Sequence, residues 1–576
     1  MVMSVRTHFV RCFLNSHISH IFVPPRNFIP LRMAHTASVH IPSLKKTIAV
    51  PTGLFINNEF VPSIDSSEKI TPINPATEEI ICSVVSASPK DIDAAVAAAR
   101  KAFQTTWGKN VTGFARARLI NRLADLIERD QQELAELEAL NNGKPVRIAR
   151  DFDIGDSIQC LRYYAGWADK IMGQTLEVDN KTKLAFTRHD PIGVCGQIIP
   201  WNYPINMWAW KVAPALAVGC TIVMKPSELT PLTALKLSEL VKEAGFPPGV
   251  INTVPSYGPT GGAALAAHPD VDKVAFTGST ITGRKIMESA AKSNLKKVSL
   301  ELGGKSPHLV FESADLEQGE NFGHTTPLLL PFPLLRNTIV WILRHLQDEN
   351  ASHRSGLWAA NWAALGICYN TGQDCTAGSR VYVQESIYDK FTELLVARVK
   401  ATVIGDGFDE QTTGGPVVSK GQYDRVWNYI EAGKQEGAKA ILGGVKRTGK
   451  GFYVDPTIFA DIRPDMKIVK EEIFGPVLSV GRFKTEEEAI AIANDTNYGL
   501  GAGVHSNDAN QCMRVSSALE AGTVWVNQYN LLSNNVPFGG KKQSGIGREL
   551  GSYALEEYTS VKAVHWNFGE RLEWPL

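Results

Sequence analysis

The sequence predicts an α/β protein built on largely parallel sheets. From Ile92 onward, amphipathic helical stretches alternate with short β-rich runs, which is typical of this class. Between residues 192 and 294, strands repeatedly run through short turns into helices. This layout predicts a nucleotide-binding domain, because such domains place helices and loops after the carboxyl ends of parallel strands.

The composition is that of an ordinary globular protein with several domains. Of the 576 residues, 44% are hydrophobic and 20% are charged. Lys+Arg and Asp+Glu are equal at 59 each, so no net charge favours nucleic acid or an anionic membrane. The eight cysteines contain no CxxC pair and indicate neither a zinc site nor a disulfide framework. We therefore expect no metal and no nucleic-acid or membrane partner.

Residues 1–50 are predicted to be a leader. No acidic residue precedes Glu59, whereas arginine and lysine are scattered among Ser, His and Thr, as in organelle transit peptides. Pro24, Pro25 and Pro30 would interrupt the amphipathic helix of such a peptide. A targeting leader and a disordered or non-native leader both stay open, and with them the mitochondrial matrix and the cytoplasm.

The first long helices are predicted over 91–103 and 114–143. Apolar residues recur there at three- and four-residue spacing, and the second stretch ends at Gly143 and Pro145. Residues 173–190 alternate apolar and polar around an Asn-Lys turn, which predicts an exposed hairpin. An exposed hairpin has an unpaired edge and needs a neighbour.

The nucleotide-binding layout follows from the next segments. A strand over 192–200 leads through a turn into a helix over 206–218, and a strand over 221–226 leads into a helix capped by Thr230 with Pro231 at its first position. A strand over 273–279 precedes a helix over 281–294 and a further strand over 297–304. Beyond Tyr369 a second set of strands and helices runs to about residue 545, and the tail alternates again near 560–567.

Two features of this region have both a functional and a plain interpretation. Gly278 and Ser279 place small residues at a helix N-terminus, where a phosphate could bind, although such turns often serve only to start a helix. Lys225 and Glu228 follow a strand and could bind ribose hydroxyls, or could form a surface ion pair.

Two further residues have the chemistry of an active site. Glu301 lies in a strand between leucines, where a carboxylate is costly unless it has a partner or acts as a base; a solvent-facing edge strand is the alternative. Cys375 lies in a Gly- and Ser-bearing loop, where thiols are more often reactive, although most single cysteines are buried and inert.

Taken together, seven ordered motifs resemble the NAD(P)-dependent aldehyde dehydrogenase superfamily. They are PWNYP (200–204), KPSE (225–228), FTGST (276–280), LELGG (300–304), GQDCTAGSR (372–380), EEIFGPV (471–477) and PFGGKKQSGIGRELG (537–551). The resemblance is nearest to the non-CoA-acylating class 1/2 type, with fungal-type residues around the cysteine. It implies an aldehyde dehydrogenase-like fold with a Rossmann-like nucleotide-binding domain (51–172 and 192–303), an α/β catalytic domain (304–558) and a β oligomerisation arm (173–191 and 559–576), in a homodimer or homotetramer.

The resemblance also implies roles for individual residues in oxidising an aldehyde to an acid. Cys375 would form a thiohemiacetal and then a thioester, Asn202 and the Cys375 N–H would hold the oxyanion, and Glu301 would activate water. Glu228 would favour NAD over NADP, although NADP stays possible. The other implied positions are cofactor contacts at Lys225, Glu228, Gly278, Ser279, Leu302, Glu472, Phe474 and Trp201, and substrate-pocket residues at Tyr203, Met207, Trp210 and Phe538.

One segment departs from the family pattern. Cys375 follows Glu301 by 74 positions (375 − 301), where the family would have roughly forty fewer, and the excess coincides with residues 319–358. Joining 313–318 to 359–370 restores an uninterrupted amphipathic helix that leads to the cysteine loop. A translated intron and a genuine insert stay open. A genuine insert would weaken activity, which leaves a catalytically impaired or structural relative as an alternative, beside a CoA-acylating dehydrogenase.

Overall fold

The structure is a computed structural model that describes residues 35–314 and 358–571. The first part of the predicted leader, nearly all of the predicted insert and the last five residues of the predicted arm lie outside the described residues. The described helices are α1 (Pro89–Thr105), α2 (Gly113–Arg129), α3 (Gln131–Asn142), α4 (Val146–Ile148), α5 (Gly155–Trp167), α6 (Pro204–Val218), α7 (Leu232–Ala244), α8 (Ala263–Ala267), α9 (Thr280–Ser293), α10 (Trp358–Cys368), α11 (Tyr388–Lys400), α12 (Lys420–Gln435), α13 (Lys467–Lys470), α14 (Glu486–Asn494), α15 (Ala509–Ala518) and α16 (Tyr553–Glu557).

Within the described ranges, no helix is both long enough and apolar enough to cross a membrane.

The strands form two large sheets and several small ones. The strands are β1 (Thr36–Ile41), β2 (Lys46–Pro51), β3 (Leu54–Ile56), β4 (Glu59–Val61), β5 (Lys69–Ile70), β6 (Ile73–Asn74), β7 (Glu79–Ile80), β8 (Val84–Val85), β9 (Thr175–Leu176), β10 (Lys183–Pro191), β11 (Val194–Ile198), β12 (Thr221–Lys225), β13 (Ile251–Thr253), β14 (Lys273–Thr277), β15 (Lys297–Glu301), β16 (Pro307–Val310), β17 (Arg380–Gln384), β18 (Lys439–Leu442), β19 (Thr457–Ala460), β20 (Val477–Phe483), β21 (Gly501–His505), β22 (Thr523–Val526), β23 (Gly545–Ile546) and β24 (Thr559–Asn567).

The first large sheet has the order β23-β15-β14-β11-β12-β13-β3-β4. Its central strands β15, β14, β11, β12 and β13 are parallel to one another, and the flanking pairs β15 with β23 and β13 with β3 are antiparallel. The chain runs from β11 outward through β12 to β13 and then returns to the other side of β11 as β14. Strand order therefore reverses between β11 and β14, and ligands bind at such reversals, beyond the carboxyl ends of the strands.

Two apolar cores cover this sheet. One contains buried side chains of α2, α5, α6 and α7, and the other contains buried side chains of α1, α8 and α9. Burial on both faces explains why β11 and β12 consist only of buried residues. The predicted α/β class with parallel sheets is confirmed.

The second large sheet has the order β18-β19-β20-β17-β16-β21-β22, and all its pairs are parallel except β18 with β19. A third sheet has the order β24-β10-β9, in which β10 and β24 pair antiparallel from Lys183↔Asn567 to Pro191↔Thr559. The predicted hairpin over 173–190 thus occurs as β9 and β10, and its neighbour is the tail of the chain.

The prediction of a leader over residues 1–50 is wrong for its last part. Residues 36–51 form an antiparallel hairpin of β1 and β2. Val39, Ile41, Ile48 and Val50 are buried and pack in one cluster with apolar side chains of α3 and α7. These four residues alternate with exposed ones, so one face of the hairpin enters a core, although the lack of acidic residues resembled a transit peptide.

Two smaller predictions also differ from the structure. The helix predicted over 114–143 is two helices, because Asp130 leaves the helical region at φ −98° and ψ 14° and its carboxylate binds the side chain of Arg129. Thr230 does not cap the following helix. Pro231 occupies the N-cap position, and the Thr230 hydroxyl has no hydrogen-bond partner within the described residues.

The packing of the hairpin can be tested with Ile41→Ala. Ile41 is fully buried, so truncation should lower the free energy of unfolding by about 2–5 kcal/mol. Leu44→Ala is the matched control, since Leu44 is exposed and lies three residues away; its effect should stay within about 0.5 kcal/mol. Denaturant unfolding measures both, and equal midpoints for the two variants would contradict the observed packing.

Candidate active site

A cavity of about 1010 Å³ lies where the strand order of the first sheet reverses. It brings together thirteen of the fifteen site residues that the sequence predicts; Lys225 and Glu228 are not among its lining residues. The thirteen are Trp201, Asn202, Tyr203, Met207, Trp210, Gly278, Ser279, Glu301, Leu302, Cys375, Glu472, Phe474 and Phe538.

Strand register explains why the residues from the first sheet meet. β14 pairs with β11 on one side and with β15 on the other, with Phe276 opposite Ile198 and Thr277 opposite Glu301. The residues that follow Ile198 and Thr277 therefore emerge at the same edge as Glu301. Asn202 and Gly278 reach the cavity in this way.

The loop before Cys375 has an uncommon backbone. After α10, Asn370, Thr371 and Gly372 all have positive φ, at 48°, 55° and 68°. This conformation costs energy for a β-branched threonine. The Thr371 hydroxyl donates to the carbonyl of Gly415 at 2.9 Å, and a side chain at Gly372 would collide with the backbone of Gly475. Surrounding contacts thus hold the turn that places Cys375 at the cavity.

Asp374 fixes the loop at Cys375 itself. Its Oδ1 accepts from the backbone N–H of Thr376 at 3.0 Å. Its Oδ2 accepts from the Tyr203 hydroxyl at 3.1 Å and from the Asn530 amide at 2.6 Å. Cys375 is therefore flanked by a carboxylate that links its loop to the loop after β11 and to the loop after β22.

Asn202 is held beside the same loop. Its side-chain amide donates to the carbonyl of Gln373 at 3.1 Å, and its own carbonyl accepts from Lys144 Nζ and Asn370 Nδ2, each at 3.0 Å. An amide group has two N–H donors. The second one has no protein partner within the described residues, so it is available to a ligand oxygen in the cavity.

Glu301 ends β15 and carries a carboxylate oxygen, Oε2, with no hydrogen-bond partner in the described part of the chain. Burial raises its pKa well above the usual range, and the charge of Glu549 adds to this effect. Lys211 acts in the opposite direction; its ammonium binds Glu549 and the Thr277 hydroxyl, each at 2.6 Å. A buried carboxylate with an unpaired oxygen and a raised pKa can act as a general base.

Burial also raises the pKa of the Cys375 thiol well above its usual value. The carboxylates of Asp374, Glu301 and Glu472 add to the shift, while the backbone N–H of Cys375 opposes it. The resting group is therefore the thiol, and a nucleophilic thiolate requires that a base take its proton.

The other wall of the cavity fits a dinucleotide. Ser279 caps the fourteen-residue helix α9, whose free N–H groups favour an anion such as a pyrophosphate. A Cβ at Gly278 would lie 2.5 Å from the ring of Phe276, so any residue with a side chain would collide with this ring. Glu472 accepts from the Gly304 N–H at 3.0 Å, and burial raises its pKa to about 7. Its carboxylate can accept from sugar hydroxyls.

Lys225 and Glu228 form an ion pair of 3.1 Å at the end of β12, next to β11. The lysine is buried, so this is not the surface pair of the plain interpretation. Phe474 has a positive φ of 64° and packs edge-to-face on Trp201, with 5.2 Å between ring centroids. Trp201 and Phe474 line the same wall.

Sequence reasoning missed several residues around the cavity. Gln422 and Arg425 donate to the backbone carbonyls of Phe474 and Glu472 at 2.7 and 2.6 Å. Asp374 could have been singled out from the sequence, because it directly precedes Cys375 in the loop. Asp156 lies on α5, and no sequence pattern marks it, because its contacts depend on which side chains the fold places opposite it.

Comparison with known proteins agrees with this arrangement. The model of the aldehyde dehydrogenase family matches residues 61–321 and 358–564 and leaves 322–357 unmatched. An aldehyde dehydrogenase of Emericella nidulans is 51% identical over 91% of this chain and 96% of its own length, and a mitochondrial one of Homo sapiens is 48% identical over 89% and 91%. An NAD+ complex of the Bacillus cereus aldehyde dehydrogenase has a TM-score of 0.81 at 47% identity, covering 92% of this chain and all of that one.

The start of α6, next to Asn202, rests on a buried acid whose titration can be measured. Glu138 is 1% exposed and accepts from the Ile205 N–H at 3.4 Å and the Thr233 hydroxyl at 2.6 Å. Burial raises its pKa from 4.5 to about 7. Its proton therefore stabilises the folded chain fully below pH 4.5, and this contribution is lost as the pH rises through 7.

Glu138→Gln keeps the shape and removes the ionisation. Relative to the wild type, the variant should gain stability from pH 5 to pH 8 by roughly 1–3 kcal/mol. Unfolding midpoints across this range measure the difference. Glu133→Gln, on the same helix but partly exposed, is the control and should show no such trend. A Glu138→Gln difference that is constant with pH would contradict the assignment.

Proposed function

We propose that this chain, which belongs to the aldehyde dehydrogenase family, oxidises an aldehyde to a carboxylic acid through Cys375, with NAD as the hydride acceptor. It is an oxidoreductase that acts on aldehydes and uses NAD(P). The proposed roles of individual residues rest on one observation. One cavity holds a thiol, a carboxylate with an unpaired oxygen and an amide donor, beside a wall that fits a dinucleotide.

The first step is attack by sulfur on the aldehyde carbon. Glu301 takes the thiol proton of Cys375, and the thiolate forms a C–S bond while the carbonyl π-electrons move to oxygen. The Asn202 amide and the Cys375 N–H donate to this oxyanion. The product is a thiohemiacetal on Cys375.

The second half of the reaction releases the acid. NAD, which Glu472, Phe474 and the N-terminus of α9 would hold, would supply the hydride acceptor. Loss of a hydride from the former aldehyde carbon would re-form its C=O bond and leave a thioester on Cys375. Glu301 passes the thiol proton to solvent and then takes a proton from water, whose oxygen adds to the thioester carbon. The adduct collapses with cleavage of the C–S bond, the carboxylic acid leaves, and the proton on Glu301 returns to the sulfur. Because Glu301 activates water, release of the acid from the thioester needs no coenzyme A.

The preference for NAD over NADP rests on Glu228. Its carboxylate lies at the end of β12 in an ion pair with Lys225, and a ribose 2′-phosphate nearby would be repelled. NADP is the second candidate, because Lys225 could turn from Glu228 to a phosphate.

We propose that β10 and β24 form an oligomerisation arm in a homodimer or homotetramer. β24 is a nine-residue edge strand, and Val561, Trp566 and the following Phe568 are each more than half exposed. A second copy that covers this edge would bury these side chains and satisfy its backbone groups. The compartment, cytoplasm or mitochondrial matrix, depends on whether residues 1–34 are a targeting sequence.

The role of Cys375 is tested by a pair of matched thiol substitutions. Cys375→Ser should lower NADH formation from an aliphatic aldehyde at least about a thousandfold, because the hydroxyl is a far weaker nucleophile. Cys368→Ser changes a thiol that lines the same cavity and should keep activity near the wild-type level. Absorbance of NADH measures both.

The same assay identifies the product class. Carboxylic acid should accumulate in the absence of coenzyme A. A strict requirement for coenzyme A, or equal activity of the two serine variants, would contradict the proposal.

The unmatched segment gives a further prediction. Deleting residues 322–357 joins Asn321 to Trp358, the first residue of α10, and should raise turnover per active site by about tenfold or more, because small errors in nucleophile placement are costly. The rate of NADH formation, divided by the concentration of reactive active-site thiol, measures the change. Lower turnover in the shortened chain would show that the segment supports catalysis.

A further inference from the structure

A buried lysine lies behind Asn202, the residue whose amide keeps one N–H free for a ligand oxygen. Lys144 is 3% exposed, and its Nζ donates to the main-chain carbonyl of Asn202 at 3.0 Å and to Asp153 Oδ2. The same nitrogen lies 4.6 Å from the centroid of the Tyr203 ring. Two of the three ammonium N–H donors thus bind oxygen atoms, and the ring face attracts the cation as well. The lysine is fully engaged in holding the loop that follows β11.

The segment between α3 and α4 fixes the place of this lysine. The N–H of Val146 donates to the carbonyl of Gly407 at 2.9 Å. Gly415 packs so closely on this segment that a Cβ there would lie 1.8 Å from the carbonyl oxygen of Gly143. Because the carbonyl of Gly415 also accepts from the Thr371 hydroxyl, one rigid contact supports both the lysine and the cysteine loop.

The carbonyl of Asn202 accepts from two further side chains. They are Asn370 Nδ2 at 3.0 Å and Asn142 Nδ2 at 3.4 Å, and the latter also donates to the carbonyl of Trp201 at 2.8 Å. Of the three donors to Asn202, only Lys144 carries a charge. Hydrogen bonds from charged donors are shorter and roughly twice as strong as neutral ones. The lysine therefore contributes most to fixing this carbonyl.

The position of the Asn202 main chain determines where its side-chain amide lies. One amide N–H is tied to the carbonyl of Gln373 at 3.1 Å, so movement of the backbone would shift the free N–H relative to Cys375. Oxyanion donors act only when they meet the place where charge develops. A displacement of about 1 Å can cost on the order of a hundredfold in rate.

Stability alone does not account for the pair of Lys144 and Asp153. Their side chains are 1% and 2% exposed, so both charges have lost their hydration. The attraction between two buried charges often does no more than offset this loss, and apolar side chains of similar volume can stabilise a core equally well. The charged pair is explained if the geometry that it imposes on Asn202 serves the reaction.

We propose that Lys144 is a positioning residue for aldehyde oxidation, which holds the Asn202 main chain so that the free amide N–H meets the oxyanion. This inference rests on the proposed function and adds to it a residue outside the cavity lining. Asp153 in turn holds the lysine. Lys144 acts through Asn202 and has no contact of its own with the reacting atoms.

A double-mutant cycle of Lys144→Met and Asn202→Ala tests this dependence. Lys144→Met alone should lower kcat/KM for an aliphatic aldehyde at least about tenfold, while the Kd of NAD, followed by tryptophan fluorescence, stays within about twofold. Asn202→Ala alone should lower kcat/KM about a hundred- to a thousandfold. Once the amide is gone, adding Lys144→Met should cost less than about threefold more, because the lysine has nothing left to position.

Lys46→Met is the matched control for loss of a lysine. Lys46 pairs with Glu136 of α3 at 2.7 Å, but its side chain is 40% exposed, and the variant should keep the wild-type kcat/KM. If Lys144→Met does not fold, Lys144→Met/Asp153→Asn takes its place in the cycle, since it removes both charges and leaves neither unpaired.

The outcomes separate this inference from the proposed function. Equal fractional losses on removal of the lysine with and without the Asn202 amide would overturn it, because they are typical of a purely structural contact. Unchanged kcat/KM in Lys144→Met would overturn it as well. A wild type that oxidises no aldehyde would overturn the proposed function, and the inference with it.

Discussion

The attachment of the cysteine loop to the end of β11 is the constraint on which the site depends. Asn202 donates to the carbonyl of Gln373, and Tyr203 donates to Asp374, so the two residues before Cys375 are both fixed to the loop that follows β11. These bonds join the two large sheets at the point where the first reverses its strand order. Without them, a thiol from the second sheet would have no defined distance to Glu301 of the first.

Burial is what gives the joined groups their chemistry. Desolvation raises the pKa values of both Glu301 and the Cys375 thiol, so each group holds its proton more tightly than it would in water. The charge of Lys211 lowers the pKa of Glu301, although the ammonium group forms its hydrogen bond with Glu549. Desolvation is therefore the common cause of both shifts.

Local patterns predicted much of the fold, because helical and strand periodicities depend on neighbours in sequence. The hairpin of β10 with β9 and the strands around β11 follow from such patterns, and the motifs placed Cys375, Glu301 and Asn202 in one cavity. The hairpin of β1 and β2 was missed although Val39, Ile41, Ile48 and Val50 alternate with exposed residues, because the acid-free composition of this stretch also fits a transit peptide. The contacts of Asp156 could not be predicted, since Asn206, Trp210 and Asn534 become its partners only after α5, α6 and a distant loop have packed.

The proposed mechanism requires Cys375 to carry the oxidised substrate as a thioester until Glu301 activates water. Rapid acid quenching of the protein with NAD and an aldehyde, followed by digestion and mass spectrometry, measures this directly. The mechanism predicts the mass of one acyl group on the peptide that contains Cys375, and more of it in Glu301→Gln at alkaline pH, where the thiol ionises without help from the base. NADH produced with no acyl group on Cys375 at any quench time, or with the acyl group on another residue, would contradict it.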